Sequence, residues 1–216
     1  MKRIVVTRPK SQANAMITGL IAAGFQPIEF PVIEIHRLAE NTGLERALSR
    51  LECYDWMVFT STNAVDAVWE QMSRLGIGQI PANVRIAAIG PKTAGILSAH
   101  GMEPSFIPSK YTAEAIMPGL GDLRGRWVLL PRSEIARKVL PDAIVTAGGV
   151  AHEIVVYRTL PAEADIAGVA ALKEGVDVIT FTSTSTGCHQ HQVHSVLNSN
   201  RCLESKSPGD IAYSLY

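Results

Sequence analysis

The sequence predicts an α/β protein built as two parallel-sheet domains joined by a two-stranded linker, and three observations predict it. One pattern occurs twice. Asp55-Trp56-Met57-Val58-Phe59-Thr60-Ser61-Thr62 is echoed by Asp177-Val178-Ile179-Thr180-Phe181-Thr182-Ser183-Thr184, an apolar strand running into a hydroxyl-rich turn, at a constant offset of 122 residues. A second set lies 124 apart: Val6-Thr7-Arg8 with Leu130-Pro131-Arg132, Gly24 with Gly148, and Glu29 with Glu153. Fixed-offset similarity marks a duplicated supersecondary unit. The second observation is alternation, since strand-like apolar runs are followed by residues at helical spacing throughout. The third is a pair of extended runs, Ile28 to Ile35 and Glu153 to Arg158, that read as connectors.

Taken in order, Ile4 to Val6 is a buried strand, and Ser11 caps a helix whose Met16, Ile17, Leu20 and Ile21 recur at helical spacing before Gly24. In the run from Ile28 to Ile35, Pro31 lacks an N–H and suits an edge or a connector. Thr42-Gly43-Leu44-Glu45 has capping-box spacing, with Leu44, Ala47, Leu48 and Leu51 as the buried stripe. The strand Trp56 to Phe59 leads into a helix carrying Ala64, Val65, Val68, Trp69, Met72 and Leu75, closed by Gly76. Then come the strand Val84 to Ile89, the turn Gly90-Pro91-Lys92 with proline where a missing N–H costs little, and a helix from Thr93 to His100. Thr112 caps a short helix, Arg126 to Leu130 is a strand, and Ser133 starts a helix ending near Gly148. If the connectors pair, residues 36–158 form an inserted domain, and 1–35 with 159–216 form a discontinuous first domain.

Composition excludes several classes. Lys plus Arg and Asp plus Glu both number 20, and no basic tract runs along the chain, so neither nucleic acid nor an anionic membrane is an expected partner. Cys53, Cys188 and Cys202 form no CxxC pair and are odd in number, against a secreted disulfide framework. The apolar run after Lys2 and Arg3 is too short for a signal peptide, which makes the cytoplasm the expected compartment. No GxGxxG, Walker A or GxSxG motif is present.

The candidate functional groups all fall at predicted strand-to-helix turns: Arg8; Ser61, Thr62 and Asn63; Lys92 and Thr93; Arg132 and Ser133; Thr182 and Ser183. A helix amino terminus presents unpaired N–H groups and a partial positive charge, so such turns suit carboxylate or phosphate. Read singly, each Ser or Thr is an ordinary cap; together they predict an anion-binding cleft. Tyr157, on the second connector, faces the gap between domains if Val156 and Arg158 face the other way, and a phenol there can protonate a departing oxygen. Asp55 and Asp177 precede their strands, at the opposite sheet edge, and read as structural.

With Val6-Thr7-Arg8-Pro9, Phe59-Thr60-Ser61-Thr62-Asn63-Ala64-Val65, Ile89-Gly90-Pro91-Lys92-Thr93-Ala94, Val128-Leu129-Leu130-Pro131-Arg132 and Val156-Tyr157-Arg158-Thr159 in hand, the chain resembles the uroporphyrinogen-III synthase family over about residues 1–186. The resemblance implies two flavodoxin-like parallel-sheet domains, the first discontinuous. It implies a cofactor-free, metal-free, monomeric lyase of tetrapyrrole biosynthesis that removes water from hydroxymethylbilane, inverts ring D and closes the macrocycle. Tyr157 and Thr93 are then the catalytic candidates, and the bilane carboxylates are held by backbone amides and hydroxyls at the turns. Transient hand-over from hydroxymethylbilane synthase is a further implication. A non-catalytic bilane-binding protein and an inactive remnant are the alternative readings.

Both the resemblance and the repeat stop near residue 186. The 122-residue offset carries Ile89-Gly90-Pro91-Lys92-Thr93-Ala94 onto Ile211-Ala212-Tyr213-Ser214-Leu215-Tyr216, where the turn motif is missing, so the first domain is expected to be truncated. Cys188, His189, His191, His194 and Cys202 have metal-ligating side chains but follow no zinc spacing, and no metal is expected there.

Overall fold

The computed structural model describes residues 1–163, 165–181 and the backbone of 212–215. Thr182, Ser183 and the Cys and His residues of the tail lie outside the described residues. The chain divides into two compact units, Met1–Ile35 with Thr159–Tyr216, and His36–Arg158.

The first unit holds β1 (Arg3–Val6), α1 (Lys10–Ala22), β2 (Gln26–Glu29), α7 (Ile166–Lys173), β8 (Val178–Phe181) and β9 (Ala212–Leu215), with its sheet in the order β2-β1-β8-β9. Every pairing in it is parallel. Val5, Ile28, Phe30, Val32, Leu172 and Ile179 are its buried core.

The second unit holds α2 (Thr42–Leu48), β4 (Trp56–Phe59), α3 (Thr62–Arg74), β5 (Arg85–Ala88), α4 (Pro91–Ala99), α5 (Ala113–Leu120), β6 (Trp127–Ser133) and α6 (Val139–Thr146). On β3 (Ile33–Arg37) and β7 (Val150–Pro161) the chain crosses from one unit to the other, and the sheet runs β3-β7-β6-β4-β5. All four residues of β4 are buried, as expected of a parallel strand covered on both faces. Trp56, Val58, Val128 and Leu130 pack on Ile116, Leu120, Leu140 and Ile144 of α5 and α6. The Trp56 indole N–H donates to the Leu120 carbonyl at 3.1 Å.

The duplication extends to hydrogen-bond register. Arg3↔Gln26, Ile4↔Pro27 and Val5↔Ile28 recur 124 residues on as Trp127↔Val150, Val128↔Ala151 and Leu129↔His152. Ile4↔Val178 and Val5↔Ile179 recur as Val128↔Trp56 and Leu129↔Met57. β9 stands beside β8 in the first sheet as β5 stands beside β4 in the second. Two aspartates clip the same place in each copy. Asp177 Oδ2 accepts from the Arg3 N–H at 2.6 Å, and Asp55 Oδ2 accepts from the Trp127 N–H at 2.9 Å. In return each aspartate's own N–H donates to the carbonyl of that partner, at 2.9 Å in both cases. Gly24 and Gly148 end equivalent helices with φ of 80° and 82°, a left-handed conformation that a side chain would strain.

Several local expectations are corrected. Pro9, not Ser11, is the cap residue of α1, and its carbonyl accepts from the Gln12 N–H at 2.8 Å. Asn41, not Thr42, caps α2, its Oδ1 accepting from the Leu44 N–H at 3.0 Å; an amide at this position reaches the helix start as well as a hydroxyl one residue later would. The run Ile28 to Ile35 is not one connector, because Pro31 separates β2, a strand of the first sheet, from β3. The largest difference is at β6, which does not end at Leu130 but continues through Pro131 to Ser133; α6 begins only at Val139. Proline is tolerated there because β6 registers with β4 only as far as Leu129, so no N–H is needed on that side.

The aspartate clip makes a stability prediction. Asp55→Ala leaves the Trp127 N–H and the Arg126 guanidinium, now 2.7 Å from the carboxylate, without their acceptor. Urea unfolding should show a loss of about 1–2 kcal/mol, and Asp177→Ala should show a loss of similar size.

Candidate functional site

In the second unit Phe59 and Ala88 are register partners, so the turns that follow β4 and β5 are neighbours at the carboxyl edge of the sheet. The Ile89 N–H donates to the Phe59 carbonyl at 2.9 Å and fastens one turn to the other. α3 and α4 start from these turns. Ser61 caps α3, its Oγ accepting from the Ala64 N–H at 3.2 Å. α4 starts with Pro91 at its first position after Gly90, and no side chain caps it. Neither helix has an acidic residue in its first turn, so the positive end of each dipole is unopposed from within. Thr93 sits in the first turn of α4 and is buried, Lys92 beside it is exposed, and Thr62 and Asn63 are half-buried at the start of α3.

Tyr157 reaches the same place from β7. Its residue is only 7 % exposed, and its hydroxyl donates to Ser61 Oγ at 3.1 Å. Ser61 Oγ therefore accepts from both the phenol and a helix amide, which uses its lone pairs and leaves its own O–H to turn outward. The phenol thus has a fixed position, set by a serine that is itself fixed by α3.

Arg132 and Ser133 are not at a helix amino terminus, since both lie within β6. The Arg132 guanidinium donates to Glu153 Oε2 at 2.9 Å and to the Arg137 carbonyl, with its side chain 8 % exposed. Lys138 Nζ donates to the other oxygen of Glu153 at 2.8 Å. Ser133 Oγ accepts from the Ile135 N–H at 3.4 Å. In the first unit Arg8 follows β1, half-buried, with its Nε lacking a partner among the described residues. Just before it the Thr7 hydroxyl donates to the Thr180 carbonyl at 2.5 Å, and the Thr180 hydroxyl donates back to the Val5 carbonyl at 2.8 Å.

One neighbour of the α4 turn escaped sequence reasoning. A Cβ on Gly90 would stand 3.1 Å from Tyr111 Cδ1, so the absence of a side chain lets the Tyr111 ring lie over the turn. That ring is 62 % exposed and presents an aromatic surface beside the unopposed helix start. Only a glycine with an unremarkable extended φ signals it, and nothing in the sequence links it to a tyrosine so far along the chain. Among the described residues no group of His, Cys, Asp and Glu could hold a metal ion. No helix among them is long and apolar enough to cross a membrane.

The profile of the Uroporphyrinogen-III synthase HemD family matches residues 14–206, past the point near 186 where the motif resemblance ends. A Methanothermobacter thermautotrophicus protein provisionally assigned the same activity is 34 % identical over 191 residues, covering 85 % of this chain and 74 % of its own. The uroporphyrinogen-III synthase of Synechococcus elongatus is 29 % identical over 189 residues, covering 86 % and 72 %. The crystal structure of a mutant uroporphyrinogen III synthase from the extreme thermophile Thermus thermophilus superposes with a TM-score of 0.67 at 20 % identity, over 100 % of this chain and 84 % of that one. The Helicobacter pylori uroporphyrinogen-III synthetase gives 0.60 at 17 % identity, over 100 % and 84 %, and at such identities the likeness speaks to fold alone. The chain belongs to the uroporphyrinogen-III synthase family.

Proposed function

We propose that the protein is a uroporphyrinogen-III synthase, a lyase that cyclises hydroxymethylbilane with loss of water and inversion of ring D. The observation that carries the assignment of roles is the 3.1 Å hydrogen bond from Tyr157 to Ser61, beside two helix starts without acidic residues. Loss of the terminal hydroxyl breaks a C–O bond as pyrrole nitrogen electrons move in, and the departing oxygen needs a proton. Tyr157 supplies it, and the group it protonates leaves as water. The phenolate that remains is within reach of Ser61, whose hydroxyl turns from acceptor to donor. The substituted carbon of ring D then attacks the methylene cation left on the bilane, giving a spiro intermediate; the bond from that carbon to its original methylene breaks and re-forms at the unsubstituted carbon of ring D, whose proton is released and restores the phenol. Holding the chain folded favours this attack over direct closure, which yields the unrearranged isomer.

Carboxylate recognition is assigned to Lys92, Thr93, Thr62 and Asn63 at the starts of α3 and α4, with Thr93 also close to the reacting end. Arg8, Thr182 and Ser183 are the corresponding candidates in the first unit. Arg132, engaged with Glu153, acts by shaping β6 rather than by meeting substrate. Tyr111 offers a ring face on which a pyrrole can lie. We place the enzyme in the cytoplasm as a monomer fed directly by hydroxymethylbilane synthase, since free bilane closes to the wrong isomer.

Two measurements test this reading. Hydroxymethylbilane incubated with the protein, followed by separation of the isomers, should yield isomer III; recovery of isomer I alone, despite bilane binding, would mark a binding protein instead. Tyr157→Phe should lower kcat by about 10²-fold with KM little changed, because the lost proton matters only in the transition state. Ser61→Ala removes both the helix cap and the acceptor of the phenol. It should cost about 1–2 kcal/mol in urea unfolding and reduce kcat by less than Tyr157→Phe does.

A further inference from the structure

At the other edge of the second unit's sheet lies an open cavity of about 1120 Å³. Its walls come from the end of α2, which gives Glu45 and Arg46, from Arg50 and Tyr54 before β4, from Leu75 at the end of α3, and from Trp127 and His152 near the starts of β6 and β7. His152 precedes Tyr157 by five residues on β7. At ~3.3 Å per residue the two are about 16 Å apart along the strand, so the cavity is separate from the turns of α3 and α4.

The cavity has a rigid aromatic floor. Tyr54 is buried, its ring stacked on His152 at 5.8 Å between centroids and edge-on to Trp127 at 6.3 Å. Its hydroxyl is 2.5 Å from His152 Nδ1. Burial, with a smaller contribution from Cys53, pushes the Tyr54 phenol up. Above this floor Trp127 is 45 % exposed and Leu75 is 40 % exposed, both lining the same space. Arg46, in the last turn of α2, and Arg50, just past the end of that helix, stand at the rim with no ion pair among the described residues, while Glu45 beside them accepts from the Gln71 side-chain N–H at 3.0 Å. The depression lined by Arg37, Asp66, Glu70 and His100 differs on this point, because Arg37 pairs with Asp66 and Glu70, each at 3.2 Å, and little charge is left for a ligand.

We propose that this cavity is a second ligand site, for a planar aromatic carboxylate whose ring lies on Trp127 and Leu75 and whose acid group meets Arg46 and Arg50. Guanidinium groups pair with carboxylates through parallel N–H donors, and an exposed indole offers a flat partner to a conjugated ring. A concave site that sets aromatic rings beside charged groups has the form of a small-molecule pocket. Binding there requires no turnover and stands whether or not the bilane reaction does.

The test titrates the full chain with 2-naphthoate, following tryptophan emission and the Trp127 indole N–H resonance. Saturable 1:1 binding is expected. Affinity should fall with added salt. 2-Naphthalenemethanol, which lacks the acid, and cyclohexanecarboxylate, which lacks the flat ring, should each bind about tenfold or more weakly. The double substitution Arg46→Gln, Arg50→Gln should weaken 2-naphthoate by about tenfold or more while leaving the circular dichroism spectrum and thermal transition in place, since both side chains are exposed. Trp127→Leu should weaken it too; because Trp127 opens β6, the exposed arginine pair decides the matter if that variant fails to fold. The proposal is overturned if 2-naphthoate does not saturate, if the arginine pair can be replaced without loss of affinity, or if the loss follows Lys92→Gln at the α4 turn instead.

Discussion

Parallel pairing is the constraint from which the rest of the structure follows. Apart from β3, every strand is joined to its neighbours in parallel. Parallel strands cannot be joined by tight hairpins, so β1 returns to β2 through α1, β4 to β5 through α3 and β6 to β7 through α6, and α1, α3 and α4 each start close to the end of a strand. One edge of each sheet therefore collects helix amino termini with their unpaired N–H groups. The other collects strand starts, and there Asp55 and Asp177 hold the register by clipping the backbone of Trp127 and Arg3. The polarity of the sheet thus separates the aspartates that keep it in register from the helix starts of the opposite edge.

The cations are used unevenly between these edges. Arg3 pairs with Glu174, Arg126 with Asp55, Arg37 with Asp66 and Glu70, and Arg132 with Glu153. Exposed pairs of this kind contribute little each. Arg132 is different, since removing Glu153 would leave a guanidinium buried without its partner, and such a loss is costly. With these guanidinium groups engaged, the proposed function gives recognition of the bilane carboxylates at the α3 and α4 starts to backbone amides, hydroxyls and Lys92. Amides fixed in a helix start need no reorganisation on binding, an advantage that flexible arginines lack.

How much of this was legible in the sequence depended on the range of the signal. The duplicated apolar strands, the glycine stops at Gly24 and Gly148 and the Gly90-Pro91 helix start were readable because each is decided within a few residues. The two offsets, 122 and 124, even carried the strand register. Caps were misplaced by one or two residues because Asn41 and Pro9 compete with nearby Thr42 and Ser11 for one role, and only the backbone path decides between them. Arg132 was misread because Pro131 looks like the end of a strand. That β4 stops pairing at Leu129 and lets β6 run on is a tertiary fact with no local mark. Tyr111 over Gly90 and Tyr54 on His152 are likewise contacts between distant segments.

Duplication supplies the frame but not the Tyr157 phenol. Continuing the 124-residue offset along the connectors brings Tyr157 onto Ile33, which is 3 % exposed and packed in the first unit's core. The same offset brings Val155 onto Pro31, so one copy carries an unbroken strand through this stretch and the other breaks into β2 and β3. Continuity of the strand matters to the phenol, because β7 stays paired with β6 past a register shift between Arg132 and Ser133, as far as Ser133↔Tyr157, and the hydroxyl there reaches Ser61. A proline at 155 would remove an N–H midway along that strand and loosen the segment that aims Tyr157. The two copies thus share what a parallel sheet requires, the aspartate clips and the glycine stops. They part at the phenol proposed as the proton donor, and a second phenol at Ile33 would have put a hydroxyl into an apolar core.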